Sequence, residues 1–190
     1  EIDPEVIQIA KNHFNVRESK NLRLHAQDGR LFLSRSTNQY DIIMIDAYYS
    51  DAMPFHLATK EFFELAQRKL TPTGVLVATL ISAVTRPYGR IARAFIKTQR
   101  LIFPQIYVFA ARRPDNVSVQ TIQNVIIIAT RDKQRMDIKE IVKRAAALDK
   151  GLFPDPIEDI GVAYYDGPLP DQDVPVLTDD YAPTDNLLHP

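Results

Sequence analysis

The chain has 190 residues, with 23 Lys and Arg against 24 Asp and Glu, a formal charge of −1 and a hydrophobic fraction of 45%. That length and fraction fit one globular domain with a real core, and the balanced charge directs it neither to nucleic acid nor to a lipid surface. The absence of cysteine excludes a disulfide scaffold, thiolate metal sites and thiol catalysis, and no apolar run reaches the roughly 18–20 residues of a membrane span. The composition is compatible with the cytoplasm, and a cytoplasmic location is the expectation.

In chain order, Asp3 and Pro4 open a helix, because Asp can N-cap and Pro is accepted in the first turn. Val6, Ile7, Ile9, Ala10 and Phe14 continue it at helical spacing. Asn21–Asp28 alternates Leu22, Leu24 and Ala26 and reads as a strand ending on an acid, followed by Gly29. Arg30–Ser36 reads as a short helix. Tyr40–Asp46 carries Ile42, Ile43, Met44 and Ile45, an apolar run of the kind found in a strand covered on both faces. A polar, aromatic loop, Ala47–His56, leads to a helix from Ala58 to Leu70. Thr71–Gly74 is a turn and Val75–Leu80 a buried strand. Arg86–Ile102 is helical, Ile106–Ala111 and Asn124–Thr130 are strands suited to antiparallel pairing, and Ile138–Leu148 is a last amphipathic helix. After Gly151 the chain is rich in proline and loses its period, as a covering loop or a disordered segment does. Strands alternating with helices place the chain in the α/β class with a mostly parallel sheet.

Glu1, Asp28 and Asp46 each stand at the end of a strand or strand remnant. In a parallel sheet with right-handed crossovers, such ends emerge along the edge where ligands bind. A carboxylate there accepts two donors at once, which suits ribose hydroxyls or an amino group, or it acts as a base. The bland alternative for each is a cap on a strand end. His13, His25 and His189 show no pairing that points to a metal or a catalytic base, and His56, in a helix lead-in, reads as a structural hydrogen-bonder.

The segments Glu1–Val6, Asp28-Gly29-Arg30 with Phe32-Leu33, Tyr40–Asp46, His56–Phe63 and Leu70–Val77 resemble, in order and spacing, the spermidine synthases and related polyamine aminopropyltransferases. The resemblance covers Glu1–Leu80 well. The tail Leu177–Leu187, LTDDYAPTDNL, is similar to a spermidine-synthase-like subgroup, some of whose members are fused to membrane permease segments. The resemblance implies a Rossmann-like methyltransferase-type fold that takes decarboxylated S-adenosylmethionine as co-substrate, needs no prosthetic group, and transfers an aminopropyl group to an amine such as putrescine. Within it, Glu1 would bind the ribose, Ile2 pack on the adenine, Asp28 accept from the adenine amino group with Gly29 beside it, and Asp46 stand between donor and amine as the catalytic carboxylate that takes the amine's proton. Tyr48, Tyr49, Asp51, Asp179 and Asp180 are the candidate acceptor-side residues. A homodimer or tetramer is the implied assembly. The domain is expected to span residues 1–151, with 152–190 packing on it as an irregular segment.

Three departures accompany the resemblance. The family's first strand and glycine-rich loop are not in this sequence, so a longer natural protein is expected. The family's second acid, three residues after the catalytic one, is here Tyr49, and the next acid is Asp51. The segment that supplies a substrate tyrosine between the last strands is replaced by Arg112–Asn116. A methyltransferase using S-adenosylmethionine, or a non-catalytic domain of the same fold, therefore stand as alternatives.

Overall fold

A computed structural model describes every residue except 49–52, 111–117, 149–160, 162 and 189–190. The described chain falls into two compact units, Glu1–Asn38 and Gln39–Pro190.

In the first unit, α1 (Pro4–His13) begins where Asp3 accepts from the Glu5 amide, with Pro4 leading the first turn. Asp28 caps α2 (Gly29–Arg35) by accepting from the Leu31 amide at 2.8 Å. The strand expected over Asn21–Asp28 does not form; the segment holds only an isolated bridge between Ser19 and Leu22. A strand exists through its partner, and the partner here is a single residue. Glu1 accepts from the Gln27 amide at 2.9 Å, and its amino group reaches the His25 carbonyl at 3.4 Å. That is the bonding pattern of a parallel ladder, one residue long.

The second unit is built on β1 (Tyr40–Ile45), α3 (Lys60–Lys69), β2 (Leu70–Ser82), α4 (Arg90–Arg100), β3 (Gln105–Ala110), β4 (Gln123–Thr130), α5 (Ile138–Leu148), β5 (Tyr164–Tyr165) and α6 (Thr184–Leu188), with a short 3₁₀ turn at Phe55–Leu57 before α3. The sheet order is β1-β2-β4-β3-β5. β1 and β2 are parallel, joined through α3 as a βαβ unit. The expected antiparallel pair of β3 and β4 is present. The sheet is mixed, however, and not mostly parallel: β4 inserts between β2 and β3 and runs against both. The insertion keeps β2 and β3 co-directional but separates them, leaving β1–β2 as the parallel pairing among the described strands.

Alternation decides which face is the core. On β2, Leu76, Ala78 and Leu80 are buried, and on β4 their register partners Ala129, Ile127 and Val125 are buried too. Helices α3 and α4 pack against the sheet and each other, and Phe63 meets Phe95 edge-on at 4.9 Å. An edge-to-face ring pair of this kind adds roughly 0.5–1.5 kcal/mol beyond burial. The expected turn at Thr71–Gly74 is a bulge inside β2, where the register jumps from Tyr40 opposite Leu70 to Ile42 opposite Val75. Gly74 is needed there, since a Cβ would lie 2.8 Å from the Tyr40 carbonyl oxygen. At its other end β1 stops at Ile45, opposite Ala78, whereas β2 continues to Ser82. No helix among the described residues is long and apolar enough to cross a membrane.

Candidate active site

Asp46 directly follows β1, beyond the buried Ile45, and is exposed. The apolar run before it is not covered on both faces as expected: Ile42 and Met44 are exposed, Ile45 alone is buried, and the next residue is released at the carboxyl end of the strand. Because the chain returns from this end into α3, the amino end of that helix faces the same way. Two residues on, Tyr48 is half-buried and donates its hydroxyl to the Thr79 carbonyl at 2.7 Å. Burial, reinforced by the negative charge of Asp46, pushes the Tyr48 phenol up to about 12. Tyr48 is therefore neutral and a donor at ordinary pH, and it moors the chain after Asp46 onto β2. Tyr49 and Asp51 lie outside the described residues, as do residues 112–116.

The tail residues occupy the amino end of α3. Thr178 and Tyr181 exchange backbone hydrogen bonds of 3.0 Å each, closing a tight turn with Asp179 and Asp180 at its tip. Asp179 accepts from the Thr59 hydroxyl at 2.7 Å, and its amide donates to Glu61 at 3.0 Å. Asp180 is exposed. The pairing of Asp179 with Thr59 and Glu61 has no local signal in the sequence, because 120 and 118 positions separate the partners.

In the first unit, Glu1, Ile2, Asp28 and Gly29 are brought together by the Glu1–His25 and Glu1–Gln27 bonds. Glu1 Oε1 accepts from the Asp3 amide at 2.9 Å. Ile2 is 68% exposed, an apolar surface for a flat partner. Asp28 Oδ1 accepts from the Leu31 amide as the helix cap. Gly29 opens α2, and a Cβ there would meet no atom within 4 Å. Among the described residues no group of three or more His, Asp or Glu is arranged to hold a metal ion.

A strand-end acid over a βαβ unit is shared by many α/β proteins, and comparison with known proteins narrows the choice. The profile described as spermine/spermidine synthase domain matches residues 1–133. The chain belongs to the spermine/spermidine synthase family. It is 36% identical over 112 residues to the polyamine aminopropyltransferase of Vibrio vulnificus, a stretch covering 57% of this chain and 36% of that protein. The chain thus spans only about a third of that relative's length. Among solved structures, it superposes on the spermidine synthase from Thermotoga maritima with a TM-score of 0.62 at 18% identity, covering 88% of this chain and 55% of the other. Human methyltransferase-like protein 13, in complex with SAH, gives a TM-score of 0.62 at 23% identity, covering 78% and 67%. Both likenesses establish the fold, the Rossmann-like class expected from the sequence.

Proposed function

We propose that this chain forms part of an aminopropyltransferase that moves the aminopropyl group of decarboxylated S-adenosylmethionine to a di- or polyamine such as putrescine. The observation that carries the reading is the exposed Asp46 at the carboxyl end of β1, inside the family match. An alkyl amine is mostly protonated at pH 7, with a pKa near about 10, and only its neutral form attacks carbon. A carboxylate in reach orients the amine and takes its proton as the new C–N bond forms. The C–S bond to the sulfonium breaks with its electron pair returning to sulfur, and neutral methylthioadenosine leaves. Asp46 supplies the acceptor and the negative charge that attracts two cationic substrates. Glu1 would receive the ribose hydroxyls, Ile2 the adenine ring and Asp28 the adenine amino group, with Gly29 allowing close approach. Tyr48 would act by shape, since its hydroxyl is engaged on β2. Assembly as a homodimer or tetramer belongs to the same reading, and sedimentation would measure it.

Tyr49, standing where the resemblance expects an acid for the distal ammonium, supports a non-catalytic domain of the same fold. A methyltransferase reading is supported by the likeness to human methyltransferase-like protein 13. The two enzyme readings separate on the cofactor's carboxylate, which a methyltransferase accommodates and an aminopropyltransferase excludes. Calorimetry of the full-length gene product with decarboxylated S-adenosylmethionine, S-adenosylmethionine and methylthioadenosine distinguishes them, followed by a diamine screen. Binding of none of the three sinks both. Asp46→Asn is expected to lower kcat by on the order of 10²–10⁴ with nucleoside affinity nearly unchanged. A fully active variant would remove Asp46 from the chemistry.

A further inference from the structure

The connection that begins at Asp46 ends at Thr59, and Thr59 is completely buried. Its hydroxyl accepts from the Phe62 amide at 3.3 Å as the cap of α3 and gives its one proton to Asp179 at 2.7 Å. The Lys60 amide donates to the Leu177 carbonyl at 2.8 Å. Two of the amides that a helix leaves unbonded in its first turn are thus satisfied by the cap and by the tail. Glu61 completes the exchange by accepting from the Asp179 amide.

The tail is itself fixed, and by α4. Leu177 is buried, and its amide donates to the Thr98 hydroxyl at 2.9 Å. Lys97 donates to the carbonyls of Asp171 and Val174 at 2.9 and 2.8 Å. Arg93, fully buried, donates to both carboxylate oxygens of Asp173 and to the Pro170 carbonyl. The amino end of α3 therefore takes its position from α4 through a segment more than a hundred residues further along the chain. The residues leading into Thr59 follow it, because Met53, Leu57 and Ala58 are buried.

We propose that Asp179 is a positioning residue. It acts through Thr59 and Glu61 to hold the lead-in Met53–Ala58, and it does not bind the amine itself. The kinetic part of this inference rests on the function proposed above, because placement matters to Asp46 only if Asp46 handles the amine. The exchange part does not.

The test compares Thr59→Val, Asp179→Ala and the conservative Thr59→Ser in the full-length protein. Amide exchange in Met53–Ala58 and Lys60–Phe62 is expected to rise by on the order of fivefold to tenfold in both Thr59→Val and Asp179→Ala, the scale of a lost helix cap, while β2 and β4 keep their protection. KM for the acceptor amine should rise with kcat little changed, in both variants alike, and Thr59→Ser should restore exchange and KM together. The proposal is overturned if Asp179→Ala raises KM while Thr59→Val leaves KM and exchange alone, since Asp179 would then be a direct ligand. It is equally overturned if exchange rises uniformly through β2 and β4, which would make the clasp a general stabiliser. If the wild type accepts no amine, the function proposed above fails, and exchange alone decides this inference.

Discussion

Between Glu1 and Asn38 the chain forms two helices, yet Leu33 alone is buried among the described residues there. Between Tyr164 and Leu188 little of the backbone is regular, yet Val174, Leu177, Thr184 and Leu187 are buried. The bonds differ in the same sense. Those of the first unit include local caps and turns and a bond that joins Glu1 to Gln27. Those of the tail reach back across the sequence to Thr59, Arg93, Lys97 and Thr98. Regularity in the backbone and order in three dimensions have separate sources here. Helical propensity supplies the first, and fixed partners supply the second.

The sharpest test of that contrast is Asp173→Asn. Arg93 is buried and Asp173 is its counter-ion, assisted by Arg86 at 3.0 Å. Removing the carboxylate from a buried guanidinium, with the exposed side of the pair screened by water, costs on the order of 1–3 kcal/mol, so urea unfolding of the second unit should shift measurably. An unchanged midpoint would put the tail on a par with the first unit and dissolve the distinction.

A smaller effect comes from acid. The bonds from Arg93, then Arg86, hold the Asp173 carboxyl well below the ordinary carboxylate range. The unfolded chain takes up this proton near pH 4 or just below, and the folded chain does so only at lower pH. The stabilising contribution is therefore complete above that value and is lost as pH falls below it. Stability measured from pH 5 downward should decline more steeply in the wild type than in Asp173→Asn, where this carboxyl is gone.

Asp28→Ala should have the least effect on the whole. Losing an N-cap costs about 1 kcal/mol, and in a unit held by local bonds the loss stays local. Faster amide exchange is expected in Gly29–Arg35, with β2 and β4 unaffected. A cooperative loss of protection across the second unit would contradict the picture of the first unit as locally held.

Much of the second unit's framework was legible because its signals are local. The apolar run Ile42–Ile45 marks β1, Thr59 with Glu61 marks the start of α3, and the two apolar segments around 106 and 124 mark the antiparallel β3 and β4. Asp46 was legible as an acid released at a strand end. What stayed hidden depends on partners far off in sequence. Asn21–Asp28 alternates like a strand but meets only isolated backbone partners among the described residues, Ser19 at Leu22 and Glu1 at Gln27. Arg93 interrupts the apolar stripe of α4 and reads as solvent-facing, because Asp173 is 80 positions away. The insertion of β4 is a property of topology, to which periodicity is blind. Tyr48 illustrates the limit for the site: an aromatic residue beside Asp46 looks ready for a ligand, whereas its hydroxyl is engaged by Thr79.

The unequal ends of β1 and β2 have a geometric consequence. At roughly 3.3 Å per residue, the overhang Thr79–Ser82 extends about 13 Å past the last paired position. The carboxyl rim of the sheet is therefore a stair and not a level shelf, with Asp46 on the lower tread and β2 as the riser. Tyr48 fills the inner corner, braced on the first residue of that riser. Asp46 therefore has a wall of β2 backbone along one flank, set by the four residues by which β2 outruns β1.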